Sequence, residues 1–404
     1  MPDMHRLDLL ASAFSPSAPI DNQSLFSGRI SQLTDVLNAV NQKGQHAILF
    51  GERGVGKTSL ARVISSGISI RGKRTIVGAI NCDQTMTFDS LWRKIFREIV
   101  LSINQKNPDG TTDNIDVSFL GKLPTTQLTP DDIRHILSRL PKTIVVIDEL
   151  DRITSQGVTT ALADTIKTLS DHAIDSTVLL VGVADSVDSL IKEHESIERA
   201  LVQIRMPRMS KDELTEIIKK GLNGAQMTIT DDACNGITAL SQGLPHYTHL
   251  LTQSAGQNSA TNDRTEVTEK DVRAAIDKAL SKAQQSIISA HHKATNSPRE
   301  NLYPQVLLAC SLAEQDGLGY FAAVDVRAPL SKIMHKAYEI PAFSQHLNAF
   351  CEPGRGPVLQ RTGTTRRYRF RFINPLLQPF VLMDGIKKEL ISPDELKNIA
   401  QQKN

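Results

Sequence analysis

Gly51-Glu52-Arg53-Gly54-Val55-Gly56-Lys57-Thr58 is the stretch that decides the fold of this chain. It fits the P-loop pattern, in which a glycine and four free positions precede Gly-Lys-Thr. The apolar run 47–50 before it predicts a short buried strand, and the run 59–64 after it predicts the start of a helix. Because a P-loop needs a strand on one side and a helix on the other, this context favours a phosphate-binding loop over a chance match in a glycine-rich segment.

The residue types of this loop suit a nucleotide. Glycines lack Cβ, so the backbone can curl and bring its N–H groups close to phosphate oxygens, and the following helix adds the positive end of its dipole. Lys57 would place its charge on the β- and γ-phosphates, and Thr58 would offer a hydroxyl to Mg²⁺. The residues predicted to bind the nucleotide here are Gly51, Glu52, Arg53, Gly54, Val55, Gly56, Lys57, Thr58 and Ser59.

A second motif follows about ninety residues later, where the apolar run 143–147 ends in Asp148 and Glu149. An apolar strand that ends in Asp-Glu is the Walker B pattern. Asp148 would hold Mg²⁺, and Glu149 would orient and deprotonate the attacking water. The alternative is an ordinary buried strand that ends at an acidic turn, and the preceding P-loop favours the catalytic interpretation.

Strands and helices alternate around these motifs, which predicts a parallel sheet covered on both faces. Runs 75–80 and 177–183 are further predicted strands, and 88–103 and 158–172 are predicted helices; residues 104–130 are predicted to form an irregular surface loop. Asp185 lies just past the strand 177–183. It could help position the attacking water, or equally it could cap the following helix.

Composition bounds the class of protein. A chain of 404 residues with 40% hydrophobic and 22% charged residues is ordinary for a globular protein of two or three domains. Its net charge of +2 means that any nucleic-acid site must come from local clustering of cations. The four cysteines are far apart and form no CxxC pair, which favours a reducing cytoplasm, and no signal peptide or membrane-spanning segment is expected.

The C-terminal half predicts helices and then a hairpin. Ser210 and Glu213 form a capping box at a helix start, and Thr268 is a second predicted cap. The runs 231–242, 244–257 and 268–290 are predicted helices, followed by three shorter ones over 302–312, 322–338 and 341–350 and by strands over 358–362 and 367–372. Three helices followed by a hairpin are typical of a winged helix.

The second strand of this hairpin alternates cleanly. Tyr368, Phe370 and Phe372 are predicted to face the core, and the arginines between them to face solvent. Six arginines and no acidic residue lie between Arg355 and Arg371, which suits contacts to DNA phosphates. The alternatives are a solvated strand face or a basic surface for an acidic protein. The predicted DNA-binding residues are Arg361, Arg366, Arg367, Arg369 and Arg371.

Taken together, these residues resemble the AAA+ ATPases. The resemblance is to the clade of archaeal-type origin-recognition initiators and related bacterial ATPases with a C-terminal winged helix, and it runs from about residue 24 to 382. The stretches that carry it are the P-loop, 26–29, 147–151, the strand that ends near Asp185, 196–199 and 241–246. It implies an α/β fold with a parallel-sheet AAA+ core, an α-helical lid and a winged-helix domain. It also implies ATP and Mg²⁺ as cofactors.

The resemblance implies further roles. Gly28 and Arg29 lie in the segment that borders the adenine, and Arg199 is similar to the arginine finger that acts on the nucleotide of a neighbouring subunit; otherwise Arg199 is a solvated arginine before a strand. Asp185 and His246 stand where the family commonly has a neutral polar sensor and an arginine. His246 could still hydrogen-bond a nucleotide phosphate, but only weakly as a cation near pH 7. A slow ATPase that works as a switch is therefore expected. The implied domains are an arm over the nucleotide site (1–23), the core (24–209), the lid (210–295), the winged helix (296–384) and a tail (385–404).

Two functions from different classes follow. The first is an ATP-dependent switch that binds DNA through the basic winged helix and assembles as a homo-oligomer on ATP binding. The second is a signalling or scaffold ATPase of a defence or mobile-element system, whose winged helix binds a protein partner such as a nuclease or transposase. Stimulation of hydrolysis by DNA would discriminate between the two.

Overall fold

A computed structural model describes residues 4–16, 28–67, 75–104, 115–187, 190–191, 197–297, 301–364 and 367–402. The chain divides into two compact units. The sheet unit comprises Pro19–Glu52 and Gly56–Met206, and the helical unit comprises Met1–Ala18, Arg53–Val55 and Pro207–Asn404. Among the described residues, no helix is both long and apolar enough to cross a membrane.

The chain starts in the helical unit with α1 (Met4–Ala13) and then enters the sheet unit. The elements of the sheet unit are α2 (Ile30–Asn41), β1 (His46–Gly51), α3 (Lys57–Gly67), β2 (Ile76–Asn81), α4 (Phe88–Asn104), a 3₁₀ helix (Ser118–Lys122), α5 (Pro130–Ser138), β3 (Thr143–Asp148), a 3₁₀ helix (Leu150–Arg152), α6 (Gln156–Asp171), β4 (Ser176–Val183) and β5 (Leu201–Arg205).

The sheet has the strand order β2-β3-β4-β1-β5 within the described residues, and its neighbouring strands pair in parallel. Every residue of β1 and of β3 is buried, as expected for central strands covered on both faces. The helix α4 adds a stripe of large apolar side chains, including the fully buried Trp92 and Phe96. This confirms the predicted α/β class, and it brings the carboxyl ends of β1, β3 and β4 to one edge.

The segment predicted as an irregular loop over 104–130 is more ordered than expected. Its described part contains the 3₁₀ helix, with Leu120 buried and the Arg139 guanidinium 3.7 Å from the centre of the Phe119 ring. Arg93 of α4 also donates to the Pro124 carbonyl at 2.6 Å. The prediction of an irregular loop was wrong here because these fixing contacts come from distant residues. Residues 105–114 lie outside the described residues.

The helical unit carries the remaining elements, which are α7 (Lys211–Gly224), β6 (Thr228–Ile229), α8 (Asp231–Ser241), α9 (Pro245–Thr261), β7 (Glu266–Val267), α10 (Glu269–Ser281), α11 (Gln285–Thr295), α12 (Tyr303–Leu312), β8 (Phe321–Ala322), α13 (Ala323–Ile333), α14 (Ile340–Ala349), a 3₁₀ helix (Pro353–Arg355), β9 (Leu359–Thr362), β10 (Arg369–Phe372), α15 (Leu377–Lys387) and α16 (Pro393–Gln402).

Capping decides where α7 begins. The Ser210 side chain accepts from the Glu213 N–H at 3.2 Å, and the Glu213 carboxylate accepts from the Ser210 N–H at 2.8 Å, which confirms the predicted capping box. The single helix predicted over 268–290 is wrong, because the structure ends α10 at Ser281 and starts α11 at Gln285. Lys, Ala and Gln between them all favour helix, so packing imposes the break: α10 lies against α9, and α11 lies against α12.

The predicted helices and hairpin after residue 300 are present. Helices α12, α13 and α14 precede β9 and β10, which pair antiparallel, and β8 joins them in the order β8-β10-β9. Phe370 and Phe372 are buried, as predicted, and lie near Phe321 of β8. Helix α13 ends at Ile333, earlier than the predicted residue 338. The identity of this sheet and its helices as a winged helix stays a prediction.

Candidate functional site

The P-loop lies between β1 and α3, as predicted. Gly51, Gly54 and Gly56 have φ angles of 148°, 85° and 96°, which favour glycine. A Cβ at Gly51 would lie 2.4 Å from the carbonyl oxygen of Met206, so no other residue fits there. The turn therefore depends on the glycines that the motif specifies.

Lys57 is the buried cation of this loop, with only 7% of its surface exposed. Its ammonium donates to the carbonyl oxygens of Gly51, at 2.9 Å, and Glu52, at 2.6 Å. Phosphate oxygens accept more strongly from an ammonium than neutral carbonyls do, because both partners are then charged. The residues present therefore fit a nucleotide phosphate.

Asp148 ends β3 next to the start of α3. It is buried, and burial raises the pKa of its carboxyl above the ordinary value, although hydrogen bonds from the Thr58 hydroxyl and the Glu149 N–H oppose that shift. A buried carboxylate beside a hydroxyl is a set of hard oxygen donors that suits Mg²⁺. The contact between Thr58 and Asp148 places the two predicted metal ligands together.

Glu149 follows in the left-handed conformation, with φ 57° and ψ 37°. Its N–H donates to Asp148 Oδ1 at 2.7 Å, and its carboxylate accepts from Arg152 at 3.0 Å. Asp151 accepts from the Val183 N–H at 2.7 Å and so ties this turn to the end of β4. Sequence reasoning did not assign roles to Asp151 and Arg152, although Leu-Asp-Arg directly after Asp-Glu was a visible signal.

Asp185 lies two residues beyond the end of β4 and is half-buried. Gly51 and Val183 are opposite each other in the register of β1 and β4, and the Ala184 N–H donates to the Gly51 carbonyl at 3.4 Å. Asp185 is therefore on the same edge of the sheet as the P-loop. Its role as a water-positioning residue stays a prediction.

Arg199 lies at the opposite edge of the sheet. It is exposed just before β5, and Leu201 of β5 is opposite His46, the first residue of β1. Gly51 ends β1 five residues later, a rise of about 16 Å at the usual strand spacing. Arg199 therefore cannot reach the P-loop of its own sheet.

Gly28 and Arg29 precede α2. Both have left-handed backbones, with φ 70° and 62°, and Arg29 is buried. Phe26 and Ser27, which accompany them in the predicted adenine segment, lie outside the described residues, as does Ser196 before Arg199.

His246 is the second residue of α9 in the helical unit and is close to the N-terminal segment. Its Nδ1 lies 2.7 Å from the Pro16 carbonyl oxygen, and burial lowers the pKa of its ring below the ordinary value. The predicted phosphate contact of His246 remains a prediction, and the bond to Pro16 was not expected.

The arginines of the hairpin do not all extend freely into solvent. Arg369 lies 3.1 Å from the Asp316 carboxylate, and Arg371 is half-buried with its guanidinium 4.6 Å from the centre of the Tyr320 ring. The Arg361 guanidinium lies 4.5 Å from the centre of the Tyr368 ring. Tyr368 was predicted to face the core but is only half-buried.

Of the other two arginines, Arg367 is exposed, whereas Arg366 lies outside the described residues. Arg355, at the start of this basic segment, donates to the Ala294 and Asn296 carbonyls and stacks on Tyr303, which gives it a structural role.

Comparisons with known proteins find matches for the part of the chain that contains the P-loop. Residues 40–191 match the family model of the AAA domain. The ORC1-type DNA replication protein of Picrophilus torridus is 24% identical over 241 residues, which are 58% of this chain and 54% of that protein. The match therefore spans about half the length of this curated relative.

Two solved structures share the fold. The Walker-type ATPase of Pyrococcus abyssi superposes with a TM-score of 0.52 at 16% identity, over 90% of this chain and 98% of that one. The ORC2 protein of Aeropyrum pernix, solved as ADPNP and ADP complexes, gives a TM-score of 0.50 at 14% identity, over 97% of this chain and 98% of that one. The predicted α/β class and the predicted resemblance are confirmed, whereas the helical lid and the winged helix stay predictions.

Proposed function

We propose that this chain, whose residues 40–191 match the AAA domain and which resembles archaeal origin-recognition ATPases, is an ATP-dependent switch that binds DNA. The observation that carries the proposal is the placement of Lys57, Thr58 and Asp148 around one P-loop. The AAA domain is a module that takes ATP with Mg²⁺ as its ligands. The proposal covers ATP hydrolysis, DNA binding and assembly of the whole chain.

The polar residues at this edge of the sheet have separate roles in hydrolysis. Lys57 leaves its loop carbonyls for the phosphates, and Thr58 with Asp148 holds the cation. Glu149 accepts a proton from the attacking water, which requires its carboxylate to leave Arg152. When bound, Mg²⁺ would offset the negative charge that develops on the transferred phosphoryl group and on the ADP that leaves. Asp185, two residues past the end of β4 at the P-loop edge of the sheet, helps to position the water.

Arg199 completes the site of a second copy. Its place at the far edge of the sheet supports action between subunits, because the distance along β1 excludes its own P-loop. Hydrolysis then depends on assembly, which is what a switch requires.

The DNA surface of this proposal is the hairpin of β9 and β10. Arg361, Arg367 and Arg369 are each exposed on it, and Arg366 adds a fourth cation in the sequence. The description of the Picrophilus torridus relative as a DNA replication protein supports the same ligand. The contacts to Asp316 and Tyr320 orient the arginines and must be exchanged for phosphate contacts.

The test is ATP hydrolysis by the purified chain, with and without duplex DNA, at low and moderate salt. We expect slow hydrolysis that DNA stimulates. Glu149→Gln should lower the rate by roughly 10²–10⁴ while ATP binding persists, because only the proton acceptor is removed. Hydrolysis that is unaffected by Glu149→Gln would reject the catalytic assignment.

A protein partner is the second candidate. It is favoured by the ion pair between Arg369 and Asp316, because an acidic protein would offer this arginine the same kind of carboxylate. ATP binding with no stimulation and no retention of DNA would move the proposal to this candidate, of which a nuclease or transposase is one form.

A further inference from the structure

The turn of the P-loop, Arg53–Val55, belongs to the helical unit. Two leucines of that unit cover the glycine at its centre. A Cβ at Gly54 would lie 3.3 Å from Leu376 Cδ2 and 3.8 Å from Leu244 Cδ2. Both leucines are buried. The apex of the phosphate-binding loop is therefore packed against apolar side chains from the C-terminal half of the chain.

A short turn connects Leu376 to the basic hairpin. The strand β10 ends at Phe372, and only residues 373–375 separate it from Leu376. The Asn374 side chain accepts from the Leu376 N–H at 3.1 Å, and the Asn374 carbonyl accepts from the Leu377 N–H at 3.0 Å. Because this connection is short and bonded to itself, a shift of β10 moves Leu376 as well.

Buried hydrogen bonds fix the start of α15 to the neighbouring helices. The Tyr247 hydroxyl of α9 donates to the Leu376 carbonyl at 2.9 Å. Two residues further on, Gln378 is fully buried, and its amide donates to the Gln242 side chain at 3.0 Å and to the Ser311 carbonyl of α12 at 2.9 Å. A buried polar group that loses its partner destabilises the fold, so these bonds resist any shift of Leu376 by itself.

A glycine turn of this kind needs support. Gly54 has φ 85°, and glycine has more backbone freedom than any other residue, so contacts must supply the order of the turn. Leu376 and Leu244 supply such contacts on one side. The turn is continuous with Glu52 and Gly56, so its order is passed along the backbone to the N–H groups that would meet phosphate. A loop that is already ordered binds its ligand more tightly.

We propose that Leu376 is a positioning residue that couples the basic hairpin to the P-loop, so that duplex DNA and ATP change each other's affinity. The inference rests on the proposed function, from which it takes both ligands. Arg369 and Arg371 of β10 must exchange their contacts with Asp316 and Tyr320 for phosphate, and this exchange shifts β10. The coupling is reciprocal, because each ligand must change the affinity of the other by the same factor.

Paired titrations of the full chain measure this coupling. The affinity for ADPNP with Mg²⁺ is determined with and without saturating duplex DNA, and the affinity for DNA with and without saturating ADPNP. We expect the two ratios to agree and to differ from 1 by roughly 5-fold or more. Independent affinities in a chain that binds both ligands would overturn the inference and leave the proposed function in place. Failure to bind either ligand would reject the proposed function, and the inference with it.

Substitutions at the leucine test its role directly. Leu376→Ala opens space beside Gly54, so ADPNP should bind roughly 2- to 5-fold more weakly and the coupling should disappear. Leu376→Met conserves volume and should retain both properties. Leu377→Ala is the matched control, since Leu377 is equally buried but is not one of the side chains beside Gly54. Coupling that persists in Leu376→Ala, or that is lost equally in Leu377→Ala, would overturn the assignment to Leu376.

A variant on the hairpin side of Leu376 guards against a general loss of packing. Asn374→Ala removes the side-chain bond to the Leu376 N–H and leaves the leucine beside Gly54. The affinity for ADPNP without DNA should therefore stay unchanged while the coupling shrinks. Urea unfolding of each variant serves as the folding control. Full coupling in a folded Asn374→Ala chain would show that β10 does not act on the P-loop through this turn.

Discussion

Lys57 of the P-loop and Arg369 of β10 are both cations suited to phosphate, but the chain holds them differently. Lys57 is 7% exposed and bonds to the carbonyls of its own loop. The Arg369 side chain is 47% exposed and lies against a carboxylate. A buried ammonium that bonds to neutral carbonyls gains from a phosphate, because both partners are then charged. An exposed guanidinium can exchange partners at little cost, so salt and competing carboxylates tune it.

The largest expected effect concerns a third cation, Arg199, which is exposed but is proposed to act on the nucleotide of a neighbouring subunit. Arg199→Ala should lower ATP hydrolysis by roughly 10³–10⁵ and leave ATP affinity nearly intact, because the finger acts on the transition state of a neighbour. Steady-state hydrolysis and nucleotide titration measure the two quantities. Equal loss of both would place Arg199 in the folding or binding of its own subunit.

Mixing two inactive variants sharpens this result. Lys57→Ala lacks a working P-loop but keeps Arg199, and Arg199→Ala has the reverse defect. Mixed samples should recover part of the activity if the arginine acts between subunits. No recovery, in mixtures shown to associate, would contradict action in trans.

The next effect concerns a buried carboxylate. Burial alone would raise the pKa of Asp271, but hydrogen bonds from Arg264, Thr268 and Asn258 lower it from 3.8 to about 2. Because the pKa of Asp271 is lower in the folded chain, the ionised carboxylate stabilises the fold at pH values above the ordinary pKa of about 4. That stability is lost as the pH falls from about 4 to about 2. The contribution at pH 7 is on the order of 2 kcal/mol, and Asp271→Asn should remove it.

Urea unfolding at pH 7 and at pH 3 measures this contribution. The difference in unfolding free energy between Asp271→Asn and the original chain should shrink at the lower pH. A constant difference would mean that hydrogen bonding, and not charge, accounts for the stability that Asp271 gives.

The wing should respond less and in a salt-dependent way. Replacing Arg367 and Arg369 with alanine should reduce the slope of log affinity for duplex DNA against log salt by about 2, because each arginine neutralises one phosphate. Lys219→Ala, an exposed cation of α7, is the matched control and should leave the slope unchanged. If the slope is unchanged in the double variant, the hairpin is not part of the DNA-binding surface.

The P-loop and the hairpin also differ in how much of their structure the sequence could predict. Gly51 and Lys57 have one workable arrangement in a strand–loop–helix context, so the motif predicted both the sheet edge and the ligand class. The wing arginines have many workable arrangements, so the sequence predicted a basic surface but not that Asp316 and Tyr320 engage Arg369 and Arg371.

The N-terminal segment was harder still to predict. Its Phe14 and Leu10 side chains pack where Gly221 and Gly256, more than 200 residues away along the chain, leave room, which no local pattern reveals. Within the predicted arm, residues Met4–Ala13 form the helix α1, which belongs to the helical unit.

The smallest expected effect comes from the partner of Arg369. Asp316→Asn removes the charge that competes with phosphate, yet an asparagine Oδ1 still accepts from the N–H groups of Leu318 and Tyr320, which fix this turn. An exposed ion pair is worth about 0.2–1 kcal/mol, so duplex DNA should bind roughly 1.4- to 5-fold tighter. Fluorescence anisotropy at fixed salt measures the change. In an Arg369→Ala background, the gain should shrink to what removing one acidic charge near the wing gives by itself. If the full gain persists there, Asp316 acts on DNA directly by repulsion and does not compete for Arg369.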